Sequence, residues 1–173
     1  EDGTFTDASA AAGIEVDNPA TGEPAGKALG VVALDADADG DVDLMVANDT
    51  VGNFFFENQG DGTFTEEGAL LGLAYDRMGE ATGAMGIDTG YVRNDADLTY
   101  VIGNFAHEMT SFYVSQGDPS LYADESIASG IGAPSRTRLT FGARGATTTS
   151  RSSARSSPTA CAPTARRVPS ARA

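Results

Sequence analysis

The chain has 173 residues, 40% of them apolar, and a formal net charge of −14, a length that suits one modest domain. All 25 acidic residues lie within residues 1–142 with only five of the 11 basic ones, so this part carries a net charge of −20. Such a charge disfavours nucleic acid and anionic membranes as partners, because both are bound through Lys and Arg. The 21 glycines among short apolar runs favour an all-β fold with tight turns.

A short motif at the start of the chain recurs further along it. Asp2-Gly3-Thr4-Phe5-Thr6 returns as Asp61-Gly62-Thr63-Phe64-Thr65, and a weaker third copy covers residues 116–122. Repetition at this spacing predicts a fold that is built from similar units.

The first strongly patterned segment is an acidic loop between two apolar runs, residues 29–34 and 42–47. Five aspartates alternate with other residues, and Gly40 lies among them. Two like charges about 4 Å apart repel by about 1 kcal/mol even in bulk water. Calcium removes this repulsion, since it accepts about six to eight oxygen ligands from a flexible loop with a glycine at its turn. We interpret the five residues as carboxylate ligands (Asp35, Asp37, Asp39), a backbone carbonyl ligand (Asp41) and a closing carboxylate (Asp43).

Two other interpretations of this loop exist. One is a solvated acidic loop without a metal. The other is an EF-hand, which needs a bidentate Glu at its twelfth position and helices on both sides. The twelfth residue counted from Asp35 is Val46, and the flanks are rich in β-branched residues. The pattern therefore predicts that the loop joins two strands.

The pattern predicts four short strands in this first unit, and Asp61-Gly62 forms the predicted hairpin turn before the last of them because both residues tolerate positive φ. Phe54, Phe55, Phe56 and Phe64 are expected to form core between units rather than a ligand platform. The strands are predicted at residues 31–34, 43–47, 53–57 and 63–66.

A second unit follows at an offset of 56 residues, where Gly30 matches Gly86 and Asn48 matches Asn104. Its metal loop is degraded, and we predict that it holds no tightly bound calcium. The five aspartates of the first loop correspond there to Tyr91, Arg93, Asp95, Asp97 and Thr99.

The end of the chain differs in composition. Residues 143–173 contain six arginines, no acid and almost no large apolar side chain. Such a segment is expected to be disordered or to be a translation of the wrong reading frame. Its Cys161 is the only cysteine, so no intrachain disulfide can form and the compartment is not indicated.

Residues 1–142 resemble the FG-GAP/VCBS repeat of integrin-α-type β-propellers. The resemblance rests on the D-x-D-x-D-G-D-x-D-L loop, on Val46-Ala47-Asn48-Asp49 and on residues 56–64. Within this family, the chain resembles the cartilage acidic protein or ASPIC/UnbV group, because three segments occur in the order expected for that group: residues 85–88, 103–105 and 132–135. The resemblance implies a partial propeller of four-stranded blades, about two and a half repeats of a parent with seven or eight. It also implies Ca²⁺ at the five matching aspartates, and an extracellular, cell-surface or periplasmic location.

Two main classes of function remain open, and a third, nucleic-acid binding through the arginine-rich tail, is disfavoured by the net charge of −20 of residues 1–142. The first is a non-catalytic, calcium-stabilised module for adhesion that binds a protein or glycan through loops such as Asn48–Asn53 and Leu73–Ala84. The second is a calcium-dependent polysaccharide lyase or hydrolase, which needs a base or paired acids in a cleft. His107 is the only histidine and is expected at the surface. The acid pairs Glu66-Glu67 and Asp124-Glu125 are expected to be solvated strand ends.

Overall fold

The computed structural model of the chain describes residues 3–92, 97–117 and 121–142. No helix within these ranges is long and apolar enough to cross a membrane. The tail that is predicted to be disordered or out of frame, residues 143–173, lies outside them. The described elements in chain order are α1 (Ser9–Ala12), β1 (Ala28–Leu34), β2 (Asp43–Asn48), β3 (Phe54–Asn58), β4 (Phe64–Glu66), β5 (Ala84–Gly90), β6 (Thr99–Asn104), β7 (Ser111–Ser115), β8 (Tyr122–Asp124) and α2 (Gly132–Ser135).

The described strands form two antiparallel sheets of four strands, β1 to β4 and β5 to β8, in which chain neighbours are also spatial neighbours. The all-β class and the four strands predicted for the first unit are therefore confirmed. The register shifts at the start of each sheet in the same way, between Ala28 and Gly30 in β1 and between Ala84 and Gly86 in β5. The 56-residue repeat in the sequence thus corresponds to a repeat in structure.

One buried cluster belongs to both sheets. It contains Met45, Ala47 and Phe55 from the first sheet and Tyr100 and Ile102 from the second, all at most 4% exposed. Burying an aliphatic or aromatic side chain of this size contributes about 1.5–3 kcal/mol. The two sheets are therefore held together mainly by apolar side chains that alternate along their strands.

The strands β1 and β5 approach each other closely within this packing. A Cβ atom on Gly30 would lie 3.1 Å from Ile87 Cγ2 and 3.5 Å from Gly86 Cα. Only glycine allows this separation without a shift of the neighbour, so Gly30 sets the distance between the two sheets.

The phenylalanines of the first sheet divide between its two faces. Phe55 belongs to the shared cluster, and Phe56 is buried on the other side of β3 with the ring of Phe54 edge-on to it at 5.8 Å. Phe54 and Phe64 are only partly buried. The prediction of core between the units is confirmed for Phe55, whereas Phe56 is buried outside the cluster that the two sheets share.

The turn between β3 and β4 differs from the predicted one. Positive φ occurs at Gly60 (71°) and Gly62 (90°), but not at Asp61. The side chain of Asp61 instead accepts hydrogen bonds from the hydroxyl (2.6 Å) and the backbone N–H (2.9 Å) of Thr63, and both bonds lower its pKa. The aspartate therefore closes the turn with its carboxylate rather than with its backbone conformation.

Two acids that were expected to be solvated strand ends are part of the framework instead, and that expectation was wrong. Glu66 Oε1 accepts from the N–H groups of Phe55 (3.2 Å) and Gly68 (2.7 Å). Asp124 Oδ1 accepts in the same way from the N–H groups of Phe112 (3.3 Å) and Ser126 (2.9 Å) in the second sheet. Each acid holds the outermost strand of its sheet to the strand beside it and to the next turn of the chain.

A buried asparagine closes the turn after the second strand of each sheet. Asn48 Nδ2 donates to the carbonyl of Gly52 at 2.8 Å, and Asn104 Nδ2 donates to the carbonyl of Met109 at 2.6 Å. Asn48 Oδ1 also accepts from the N–H of Lys27 at 2.9 Å, which holds the segment before β1 in place.

We expect Asn48→Ala to reduce the free energy of unfolding by about 2 kcal/mol, because it removes both hydrogen bonds of a fully buried side chain and leaves the backbone groups of Lys27 and Gly52 without these partners. Urea unfolding followed by circular dichroism measures the loss. Asn18→Ala removes only one exposed hydrogen bond, from the N–H of Ala20 (2.9 Å), so it is the control and should change stability by less than about 0.5 kcal/mol. Equal losses for the two variants would contradict the role of Asn48.

Candidate metal centre

The acidic loop joins β1, which ends at Leu34, to β2, which begins at Asp43, and these two residues pair across the hairpin. The prediction that the loop lies between strands is confirmed. The EF-hand alternative is wrong, since both flanks are strands of one antiparallel sheet.

Three of the predicted ligands lie together in the loop. Asp35, Asp37 and Asp39 each offer a carboxylate oxygen within 4.8 Å of the others, and all three are exposed. Calcium binds oxygens at about 2.3–2.6 Å, so two ligands on opposite sides of the ion are at most about 5 Å apart. The three carboxylates therefore fit one hard cation as they stand, and an all-oxygen donor set favours Ca²⁺, Mg²⁺ or Mn²⁺ over metals that prefer sulfur.

The backbone of the loop orients these carboxylates. Its turn needs positive φ at Ala38 (66°) and Gly40 (100°), and at a non-glycine residue such as Ala38 this conformation costs about 1–2 kcal/mol. Three N–H groups donate to the three carboxylates: Gly40 to Asp35 Oδ2 (3.1 Å), Asp39 to Asp37 Oδ1 (3.1 Å) and Asp41 to Asp39 Oδ1 (2.8 Å).

The two remaining aspartates lie apart from the group of three. Asp43 is only 2% exposed, and its oxygens accept from the N–H groups of Ala36 and Asn58, each at 2.9 Å. Asp41 points toward the β3–β4 turn, where its Oδ2 would lie 2.9 Å from a Cβ atom on Gly60. Asp43 therefore ties the loop to β3. Ligation through Asp43 and through the carbonyl of Asp41 stays a prediction.

The ionised form of Asp37 is disfavoured in the loop without a cation. The pKa of Asp37 is raised, first by burial and then by repulsion from Asp39, Asp43 and Asp35, while the N–H of Asp39 opposes the shift. A bound divalent cation would reverse the sign of these interactions, because each carboxylate would then face a positive charge at close range.

A cavity of about 210 Å³ opens beside the loop. Its walls combine the carboxylates of Asp37, Asp43, Glu57 and Glu67 with apolar side chains such as Phe55. The pKa of Glu57 is raised, first by burial and then by repulsion from Glu67, Asp37, Asp43 and Asp39. Glu57 lies outside the alternating aspartate motif, although its position two residues after Phe55 places it on the same face of β3.

We expect Glu57→Gln to stabilise the calcium-free chain at neutral pH by a few tenths to about 1 kcal/mol, because it removes a charge that burial and the neighbouring carboxylates both disfavour. The pKa of Glu57 in the folded chain lies above its ordinary value of 4.5. Glu57 therefore does not destabilise the chain at lower pH, and its destabilising effect appears as the pH rises above 4.5. Urea unfolding in chelator from pH 4 to 7 should show the difference between variant and wild type growing with pH. A constant difference would contradict this cause.

The degraded second loop is described only in part. Arg93 and Asp95 lie outside the described residues, while Tyr91 and Asp97 line a cavity of about 510 Å³ together with Asp35 and Asp37 of the first loop. The absence of tightly bound calcium in the second loop therefore stays a prediction.

His107 lies in the turn between β6 and β7, and its exposure confirms the predicted surface position. Its φ is 76°, its N–H donates to the carbonyl of Arg136 (2.9 Å), and Arg136 Nε donates back to its carbonyl (3.2 Å). It lines a cavity of about 150 Å³ with Asp76, Glu108 and Asp124. None of the three clustered aspartates lines that cavity.

A scan against protein-family models finds no match to the chain, and a search of curated proteins finds no significantly similar sequence.

Proposed function

We propose that the chain is a non-catalytic calcium-binding module of a β-propeller of the FG-GAP/VCBS type, which serves adhesion or binds a protein or glycan outside the cell or in the periplasm. The observation that carries the proposal is the group of three carboxylates within 4.8 Å in the β1–β2 loop. A site that forms only in the folded hairpin couples metal binding to folding.

The propeller arrangement is supported by the repetition of detail between the two sheets. Both have four antiparallel strands in chain order, the same register shift and the same asparagine and carboxylate hydrogen bonds. Propellers typically contain four to eight such sheets. Two sheets therefore represent part of a ring.

The metal loop and the proposed partner-binding loops lie at opposite ends of the first sheet. The acidic loop precedes β2 and the loop Asn48–Asn53 follows it, so the length of this strand of six residues separates them, about 17 Å. We infer that calcium stabilises the sheet and does not contact the partner.

The two loops proposed to bind the partner lie against each other. The N–H of Asn53 donates to the carbonyl of Ala74 (3.0 Å), and the N–H of Thr50 donates to the carbonyl of Thr82 (2.9 Å). Tyr75 packs on Gly52 and remains 47% exposed, and Met78 is 70% exposed. Tyrosine and methionine are enriched in protein interfaces, which supports one continuous binding surface here.

The non-catalytic assignment is supported by the separation of His107, the histidine considered as a catalytic base, from the metal loop. A calcium-dependent lyase or hydrolase needs its metal and its base in one cleft. His107 and the clustered aspartates belong to different elements and line different cavities.

Isothermal titration of the chelator-treated chain with CaCl₂ tests the proposal. We expect one site with a dissociation constant in the micromolar to millimolar range, strongly weakened by Asp37→Asn or Asp39→Asn. Asp61→Asn is the control, because it removes one charge from another turn and should leave the affinity unchanged. A folded chain that shows no binding, or an equal loss in Asp61→Asn, would refute the site.

A further inference from the structure

The cavity of about 510 Å³ lies between the acidic loop and the second sheet. Asp35 and Asp37 line it from the loop, and Asp97, Leu98 and Tyr122 are among the residues that line it from the second sheet. Carboxylates thus occur on both sides, and the second sheet adds apolar and aromatic side chains. A ligand that fills this cavity needs a polar head and an apolar stem.

Tyr122 brings a buried hydroxyl without a hydrogen-bond partner to this cavity. Its side chain is 4% exposed, and its hydroxyl makes no hydrogen bond within the described residues. The same holds for the fully buried Tyr100, whose ring centroid lies 5.4 Å from that of Tyr122. Most buried polar groups in proteins have a partner, because a buried group without one costs free energy. Two neighbouring hydroxyls of this kind indicate that a molecule other than the chain supplies the partner.

The hydroxyl of Tyr122 lies near the acidic loop and keeps its proton at neutral pH. Burial raises the pKa of Tyr122 to about 12, while the hydroxyl of Tyr100 opposes the shift. Tyr91, Asp43 and Asp37 lie near enough to raise this pKa further. A neutral phenol can donate and accept hydrogen bonds, but calcium prefers carboxylates, carbonyls and water as ligands. The hydroxyl therefore points to a hydrogen-bonding ligand rather than to a second bare metal ion.

The charge around the cavity selects a cation. Asp35 and Asp37 each use one carboxylate oxygen to accept from an N–H group of the loop, and each keeps a second oxygen. The net charge of −20 on residues 1–142 repels anions and concentrates cations at the surface. An ammonium group has three N–H donors and no acceptor, so it suits carboxylate and phenol oxygens together. An alkyl stem can lie against Leu98, as the stems of lysine side chains lie along apolar surfaces.

We propose that this cavity binds an alkylammonium group, supplied by a lysine side chain of a peptide or by a free polyamine. The carboxylates of Asp35 and Asp37 and the hydroxyl of Tyr122 accept its hydrogen bonds, and the apolar wall contacts its stem. The site lies at the end of the sheets that carries the acidic loop, and not at the loops proposed to bind the partner. Because Asp35 and Asp37 are also proposed calcium ligands, the test is made in chelator, where the outcome does not depend on the metal site.

NMR titration of the isotopically labelled full chain in EDTA tests the proposal. The probes are Nα-acetyl-lysine amide, its Nε-acetylated form, which keeps the stem and lacks the charge, and spermidine. Tyr122→Phe removes the hydroxyl but no charge, and Tyr75→Phe, whose side chain lines a different cavity, is its control. Asp37→Asn removes one charge at the cavity, and its control Asp61→Asn removes one from the β3–β4 turn. Circular dichroism checks that each variant is folded.

We expect Tyr122→Phe and Asp37→Asn each to weaken binding of the charged probes about tenfold, and the two controls to change it less than about twofold. Binding of the lysine amide supports a peptide as the source, and binding of spermidine alone supports a free polyamine. Equal affinities of Tyr122→Phe and Tyr75→Phe would mean diffuse attraction to the acidic surface and would overturn the proposal. Equal binding of the Nε-acetylated probe, or no binding of either charged probe, would overturn it as well.

Discussion

Calcium at 100 times its dissociation constant is expected to stabilise the folded chain by about 2.7 kcal/mol relative to the same chain in chelator. The reason is that Asp35, Asp37 and Asp39 lie close enough to share one ion only when the hairpin is formed. For a domain of this size the difference corresponds to a rise in the unfolding midpoint of about 5–10 °C. Thermal unfolding followed by circular dichroism, in EDTA and in excess CaCl₂, measures it.

Asp37→Asn is the matched variant for this measurement. It keeps the size of the side chain and an oxygen that can accept from the N–H of Asp39, but removes one of the charges. We expect it to lose the response to calcium without losing stability in EDTA, because repulsion within the loop decreases. Identical melting of the wild-type chain in both solutions would show that the loop has no structural metal.

Asp43→Ala is expected to destabilise the chain by about 3–5 kcal/mol, with or without calcium. The buried carboxylate accepts two charge-assisted hydrogen bonds, from the N–H groups of Ala36 and Asn58, and each contributes about 1.5–3 kcal/mol. Since a domain is stable by only about 5–15 kcal/mol, this loss is severe. Urea unfolding in EDTA and in CaCl₂ measures it in both states.

Asp43→Asn distinguishes the roles of this residue. It keeps one acceptor oxygen for a backbone N–H and lacks the charge, so it should lose less stability than Asp43→Ala in EDTA. A loss that appears only in calcium would mean that Asp43 acts as a ligand and not as a link between the loop and β3. A loss below about 1 kcal/mol in both solutions would contradict the structural role altogether.

Asp37 and Asp43 have equivalent positions in the sequence pattern but different roles in the structure. Both belong to one alternating run of aspartates, and the sequence assigns both to the metal. In the structure Asp37 is exposed in the loop, whereas Asp43 is the first residue of β2 and lies buried. Spacing identified the acidic loop, but only the path of β3 explains why its last carboxylate faces two backbone N–H groups.

The acids outside the motif illustrate the same limit. Glu66 and Asp124 have no pattern that separates them from solvated acids, and their hydrogen bonds depend on the neighbouring strand. Glu57 becomes part of the cavity because β3 turns it toward Asp37 and Asp43. Such roles depend on contacts between residues that are distant in sequence.

Local patterns in the chain were enough to predict the all-β class, the strands of the first unit and the acidic hairpin loop, because these depend on alternation, glycine and charge within a few residues. The folded arrangement was needed to establish which carboxylates cluster, which ones hold strands together, and that Gly30 and Gly86 set the contacts of successive sheets. Burial, hydrogen-bond partners and close approach are properties of pairs of segments, and a pattern within one segment does not contain its partner.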